Sequence, residues 1–156
     1  MRKQRTTSIS ALDAHLGYWL RLVSNHVSHA FSQKVAEHGV TVAEWVVLRR
    51  LLDHESAAPS RIAAELQMTR GAISKLVDRL AAKRLVTRTK GEGEDRRFQE
   101  VALTEAGRAL VPELAALADA NDAEFFGCLT AEEQAALDAL LKAIVRRRNM
   151  TDVPID

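Results

Sequence analysis

Between Ser60 and Arg97 the chain gathers side chains suited to phosphate oxygens and base edges. Thr69, Arg70, Gly71, Ser74, Lys75 and Arg79 fall in one short run, with Ser60 just upstream, and Arg88, Lys90, Asp95, Arg96 and Arg97 follow. Guanidinium and ammonium groups donate to guanine O6 and N7 or to phosphates, hydroxyls bond phosphates, and a glycine admits close backbone approach. Arg70 and Lys75 are compatible with either kind of contact. Such chemistry is binding, not catalysis. The chain has no G-x-x-x-x-G-K-[ST], H-E-x-x-H or G-x-S-x-G pattern, and the Gly91-x-Gly93 pair is a turn signal. No enzyme activity and no cofactor are expected.

These residues need elements to hold them. Ser60 is expected to cap a short helix over Arg61–Leu66, and Thr69 a longer one from Arg70 to about Lys83. In the second, Ile73, Leu76, Val77 and Leu80 repeat at helical spacing and should pack inward, leaving Arg70, Gly71, Ser74, Lys75, Asp78 and Arg79 outside. A polar face of this kind is also what any solvated helix shows. Leu85–Lys90 and Phe98–Leu103 alternate like strands around a polar loop. An arginine at its tip could enter a narrow minor groove, and Asp95 could hold Arg97 by a charge-assisted bond. A helix pair followed by a basic hairpin is a winged helix-turn-helix pattern.

Around this core the sequence predicts further helices. One runs from about Ser10 to Glu37 with an apolar face from Leu12 to Val35, and stops at Gly39. Thr41 and Glu44 form a capping box for a second, which ends near His54–Glu55. A fifth starts at Thr104, contains Pro112 in its early turns and reaches Phe126. Thr130 and Glu133 box a last helix to about Arg148. The fold class is mainly α with a small β-hairpin wing. A single domain is expected over 1–156, with 57–103 as the DNA-binding core and 10–56 and 104–149 mainly as dimerisation helices.

Charge is polarised along the chain. The 156 residues carry a net charge of only +1. Residues 61–97, however, hold ten Lys/Arg against five Asp/Glu, and residues 104–143 hold two against eight. It is the local field that attracts a polyanion, not the total. A hydrophobic content of 47% fits a globular protein, and no apolar run approaches the ~20 residues of a membrane span. No apolar stretch follows the basic N-terminus, so a cytoplasmic location without membrane contact is expected. Cys128 is alone in FFGCLT, which excludes an intrachain disulfide and suggests a packed, inert thiol. His26 and His29 could share a helix face, but no third ligand is indicated and no metal site is expected.

The run TRGAISKLVDRLAAKRLVTRTKGEGEDRRFQEVALTEAG resembles the winged helix-turn-helix core of the MarR family of bacterial transcription factors. The Asp-Arg-Arg tip and the LTEAG that follows are its most specific parts, and the resemblance extends over nearly the whole chain. It implies homodimers joined through the N- and C-terminal helices, which bind pseudo-palindromic operators in double-stranded DNA. It gives Asp95 and Arg97 wing roles and Arg70, Ser74 and Lys75 recognition-helix roles. It also implies repression relieved by a small aromatic or phenolic anion. His15, Trp19, His26, Trp45 and Arg49, with Tyr18, would line that effector cleft, an aromatic floor with basic groups beside it. The tryptophans equally fit a core, and an effector-independent repressor or architectural protein of the same fold is the alternative reading. In two respects the chain departs from the family. Arg84 stands where the family usually places Gly, and the first helix lacks the cysteine of the family's redox-sensing branch.

Dimerisation has a physical motive of its own. Ile9, Leu12 and Leu16 on the first helix and Leu140, Leu141 and Ile144 on the last belong to no obvious core. A twofold mate would remove them from water at ~25 cal/mol per Å².

Overall fold

Four threonines punctuate the chain. Thr41, Thr69, Thr104 and Thr130 are each extended, and each accepts from the backbone amide three residues on, at 3.0–3.2 Å. They open α2 (Val42–Leu52), α4 (Arg70–Ala82), α5 (Glu105–Phe126) and α6 (Ala131–Arg147). Glu44 and Glu133 return the bond to the cap amide, so both expected capping boxes form. The structure, a computed structural model, describes residues 9–90 and 99–150. Asp95, Arg96, Arg97 and Phe98 lie outside the described residues.

The first helix is broken where the sequence predicts continuity. A 3-10 turn at Leu12–Ala14 precedes α1 (Leu16–Ala36), and His15 between them is extended at φ −98°. Trp19 Nε1 donates to the Asp13 carbonyl, which ties this turn to α1. The third helix, α3, spans Pro59–Leu66 and is capped by Ala58, not Ser60. Proline is pre-set for the first helical position, so the helix starts there and Ser60 becomes its second residue. The strands β1 (Val86–Lys90) and β2 (Gln99–Leu103) pair antiparallel, with Arg88 opposite Val101. Ala57 exchanges both backbone bonds with Val101, which fastens the α2–α3 loop to the hairpin.

The core lies beneath α4, where Ile73, Val77 and Leu80 meet Val47, Leu48 and Leu51 of α2 and Ile62 of α3. Val101, Val111 and Leu114 close it from β2 and α5. Asn121, buried in α5, accepts from Lys34 Nζ and donates to the Val27 carbonyl, binding α5 to α1. The start of α1 and nearly all of α6 have no such cover. On the predicted inward face of the first helix only Val35 is buried, and Trp19 is half exposed. Trp45, by contrast, packs against the core. Cys128 is exposed in the α5–α6 turn, where its Sγ donates to the Phe125 carbonyl three residues back, which corrects the expectation of a packed thiol.

The end of α4 requires a left-handed residue, and Arg84 supplies it. Leu85 N bonds the Leu80 carbonyl and Arg84 N that of Ala81, the paired bonds of a Schellman motif, with Arg84 at φ 59°. Thr104 Oγ1 donates to the Arg84 carbonyl, so the left-handed residue also anchors the start of α5. A side chain there costs about 1–2 kcal/mol, part of which glycine would return as chain entropy. Arg84→Gly should therefore raise stability by about 0.5–1 kcal/mol in denaturant titration. A loss would show that the Arg84 side chain makes a compensating contact.

Candidate nucleic-acid interface

Helix α4 is amphipathic in the manner a groove-reading helix needs. Ile73, Leu76, Val77 and Leu80 are buried, and Arg70, Gly71, Ser74, Lys75, Asp78 and Arg79 are exposed. Thr69 Oγ1 is occupied as the cap acceptor for Ala72, which leaves its hydroxyl proton for a phosphate. Gly71 meets nothing within 4 Å of an added Cβ, so packing of the protein does not require glycine there. Gly71 is the second residue of α4, in the first turn after the Thr69 cap. The open space above it would admit close approach of a ligand to the backbone.

Behind α4, polar ties set its position. Within α3, Glu65 accepts from Arg61 Nε at 2.8 Å, and it joins the helix to α2 and the loop after it, lying 3.7 Å from Arg50 Nε and 3.1 Å from His54 Nε2. Those bonds, from His54 first and then Arg61, hold the Glu65 carboxyl below the usual range. At the other end of α4, Lys83 Nζ donates to Glu44 at 2.7 Å and to the Gly39 carbonyl at 2.8 Å. Glu44 is 1% exposed. Burial alone would raise its carboxyl, but the Lys83 bond, the Thr41 amide and the Lys83 charge together hold it below the ordinary value. The sequence gives the capping role of Glu44 and no sign of its second partner, which comes from 39 residues away.

The wing strand reaches the same surface. Arg88 Nη2 lies 2.6 Å from Asp78 Oδ1, so an expected phosphate contact is engaged by a carboxylate of α4. Gly107, within the LTEAG motif, has a structural reason to be small. A Cβ on it would stand 2.0 Å from the Leu85 carbonyl oxygen, where the start of α5 crosses the α4–β1 turn. Ser60 is exposed in the first turn of α3, and Lys90 ends β1.

The five residues expected to hold an effector are not gathered in one place in the protomer. Trp45 and Arg49 line a shallow depression with Val46, Arg50, Asp53 and Leu66. His26 lines a different one with Asn25, Ser28 and His29. His15 and Trp19 are exposed at the start of α1 and line neither. Arg49 Nη1 donates to Asp53 at 2.8 Å, and that bond, foremost, keeps the Asp53 carboxyl below its usual range.

Comparison with known proteins gives concordant results. The family model described as MarR family matches residues 38–97. The chain is 30% identical over 116 residues to the HTH-type transcriptional regulator PrsX of Escherichia coli, covering 73% of this chain and 69% of PrsX. It is 34% identical over 101 residues to the HTH-type transcriptional repressor MdtR of Bacillus subtilis, covering 65% of this chain and 64% of MdtR. Among solved structures, Bordetella bronchiseptica BpsR, described by its regulation of DNA binding by 6-hydroxynicotinic acid, superposes with a TM-score of 0.77. That match is 26% identical and covers 88% of this chain and 98% of BpsR. A mutant Escherichia coli MarR complexed with operator DNA superposes with a TM-score of 0.74 at 27% identity, covering 83% and 93%.

Proposed function

The chain belongs to the MarR family of transcription regulators, and we propose that it is a homodimeric repressor that binds pseudo-palindromic operator DNA and releases it on binding a small aromatic or phenolic ligand. The observation that carries the DNA reading is the α4 surface. Arg70, Ser74, Lys75 and Arg79 stand exposed on a helix whose opposite face is fixed in the core. Arg70 and Lys75 supply base or phosphate contacts in the major groove, Thr69 and Ser60 phosphate contacts, and Arg96 and Arg97 the wing contacts. The solved MarR complex with operator DNA supports that reading.

The apolar ends support the dimer. Leu12, Leu16 and Leu20 from the start of the chain and Leu140, Leu141, Ile144 and Val145 of α6 stay in water in one protomer. A mate that covers them would present two α4 helices to successive major grooves, about 34–36 Å apart. The ligand reading rests on Trp45 beside Arg49 and on the relation to BpsR. The Arg49–Asp53 pair favours the second reading, an effector-independent repressor, since an anionic ligand must compete with Asp53. Release of DNA by hydroxylated aromatic acids, or its absence, separates the two.

The DNA reading is tested by titrating the protein against a duplex selected by it from a random pool. Affinity should fall about 10³-fold or more between ~50 and ~200 mM salt if six or more phosphates are contacted. Arg70→Ala or Lys75→Ala should cost about 1–3 kcal/mol if the residue reads a base, and should relax preference at one position. Affinity indifferent to salt would end the proposal.

A further inference from the structure

The exposed face of α4 is basic with one interruption. Asp78 is the only acidic residue of the helix, and it lies one turn beyond Ser74 and Lys75, in the middle of the surface offered to DNA. A bare carboxylate there would be repelled by phosphates. It is not bare, because Arg88 on β1 meets it at 2.6 Å, with the two side chains 33% (Arg88) and 59% (Asp78) exposed. A pair this open contributes about 0–1 kcal/mol to folding. Folding stability is thus a weak reason for an acid in a basic field, and the pair's position is the more informative fact. It ties together on the solvent side two elements that would contact DNA, whose backbones are already set by the packing of Val77, Leu80 and Val86.

We propose that Asp78 is a positioning residue for specificity: by holding Arg88 it fixes that guanidinium against α4 and withholds one cation from indiscriminate phosphate contact. The inference rests on the DNA-binding reading above. With the carboxylate in place, Arg88 is neutralised and its side chain is held to the recognition helix, so binding rests on the contacts that α4 makes with a matching site. With the carboxylate gone, Arg88 becomes one more mobile cation per protomer. Every duplex then gains a phosphate contact, and a correct site gains little because its phosphates beside α4 are already engaged by the aligned Arg70 and Lys75.

The full-length wild type, Asp78→Asn, Asp78→Glu and the double variant Asp78→Asn with Arg88→Ala are compared on two duplexes of equal length. One is selected from a random pool by the wild type, the other is its scrambled counterpart. Asp78→Asn should bind the scrambled duplex about 3–10-fold tighter, with a salt slope steeper by about one per protomer. Its selected-to-scrambled ratio should fall about tenfold or more. Asp78→Glu, which retains the charge, should keep that ratio within about threefold, and the double variant should lose the gain on scrambled DNA. Thermal unfolding within a few degrees of wild type accompanies each result, as an exposed pair requires. A parallel rise on both duplexes, or no change on either, overturns the proposal, since the first is a bulk charge effect and the second an idle ion pair. If the wild type itself enriches no duplex and binds without salt dependence, the DNA-binding reading falls, and this inference with it.

Discussion

Lys83→Met is expected to cost about 3 kcal/mol of folding stability at neutral pH, near the low end for breaking a buried pair because water reaches the lysine. The cost arises at the other partner. Glu44 is 1% exposed and would keep its charge with only the Thr41 amide to answer it. Glu44→Gln should cost distinctly less, because the amide oxygen still accepts from Thr41 and Lys83 can turn to solvent. The two variants also differ in pH dependence. In the wild type the Glu44 carboxyl titrates below its unfolded value, so its contribution is present above the ordinary glutamate pKa and is lost as pH falls through the depressed one. In Lys83→Met burial is opposed only by the Thr41 bonds and the carboxyl rises above its wild-type position, so acidification should relieve the defect. Urea titrations from about pH 7 down to about pH 3 read both signs, the span running from above the ordinary glutamate value to below it. Equal losses in the two single variants, with no pH dependence, would show that Lys83 and Glu44 do not act as a buried pair.

Leu16→Glu combined with Leu141→Glu should leave the protomer folded and abolish the dimer. Leu16 is 88% exposed and Leu141 41% exposed in the protomer, so neither change empties its core. In a twofold interface the substitutions would place up to four carboxylates in apolar surroundings, each of which must be desolvated without a partner. Sedimentation should move to the monomer mass while helical content is kept. Affinity for a two-half-site duplex should drop about 10²–10⁴-fold, the avidity lost when two linked contacts become independent. A variant that still sediments as a dimer would place the interface elsewhere.

The helices of this protein were legible because their signals are local. Thr41, Thr69, Thr104 and Thr130 announce their helices through bonds that span three residues, and all four form. The inward face of α4 was legible for the same reason, since periodicity needs no knowledge of the partner. Local signals misled where two of them competed. Ser60 is a good cap by type, yet Pro59 already fixes the first helical φ. Periodicity also failed to separate a face that packs within the protomer from one that does not. Leu12 to Val23 repeat like Ile73 to Leu80, and only the second set is buried.

What the sequence determined by itself is therefore the order of elements, the polarity of α4 and the concentration of positive charge between residues 61 and 97. Only the tertiary structure decided which charges meet. Glu44 and Lys83 are 39 positions apart, and Asp78 and Arg88 lie on a helix and a strand whose relative placement follows from the packing of Val77, Leu80 and Val86. Likewise Gly107 is fixed by a carbonyl of the α4–β1 turn. The physical reason is range. Caps and periodic faces are settled within a few residues, whereas a charge 2.6 Å from its partner depends on where the whole core sets the two backbones.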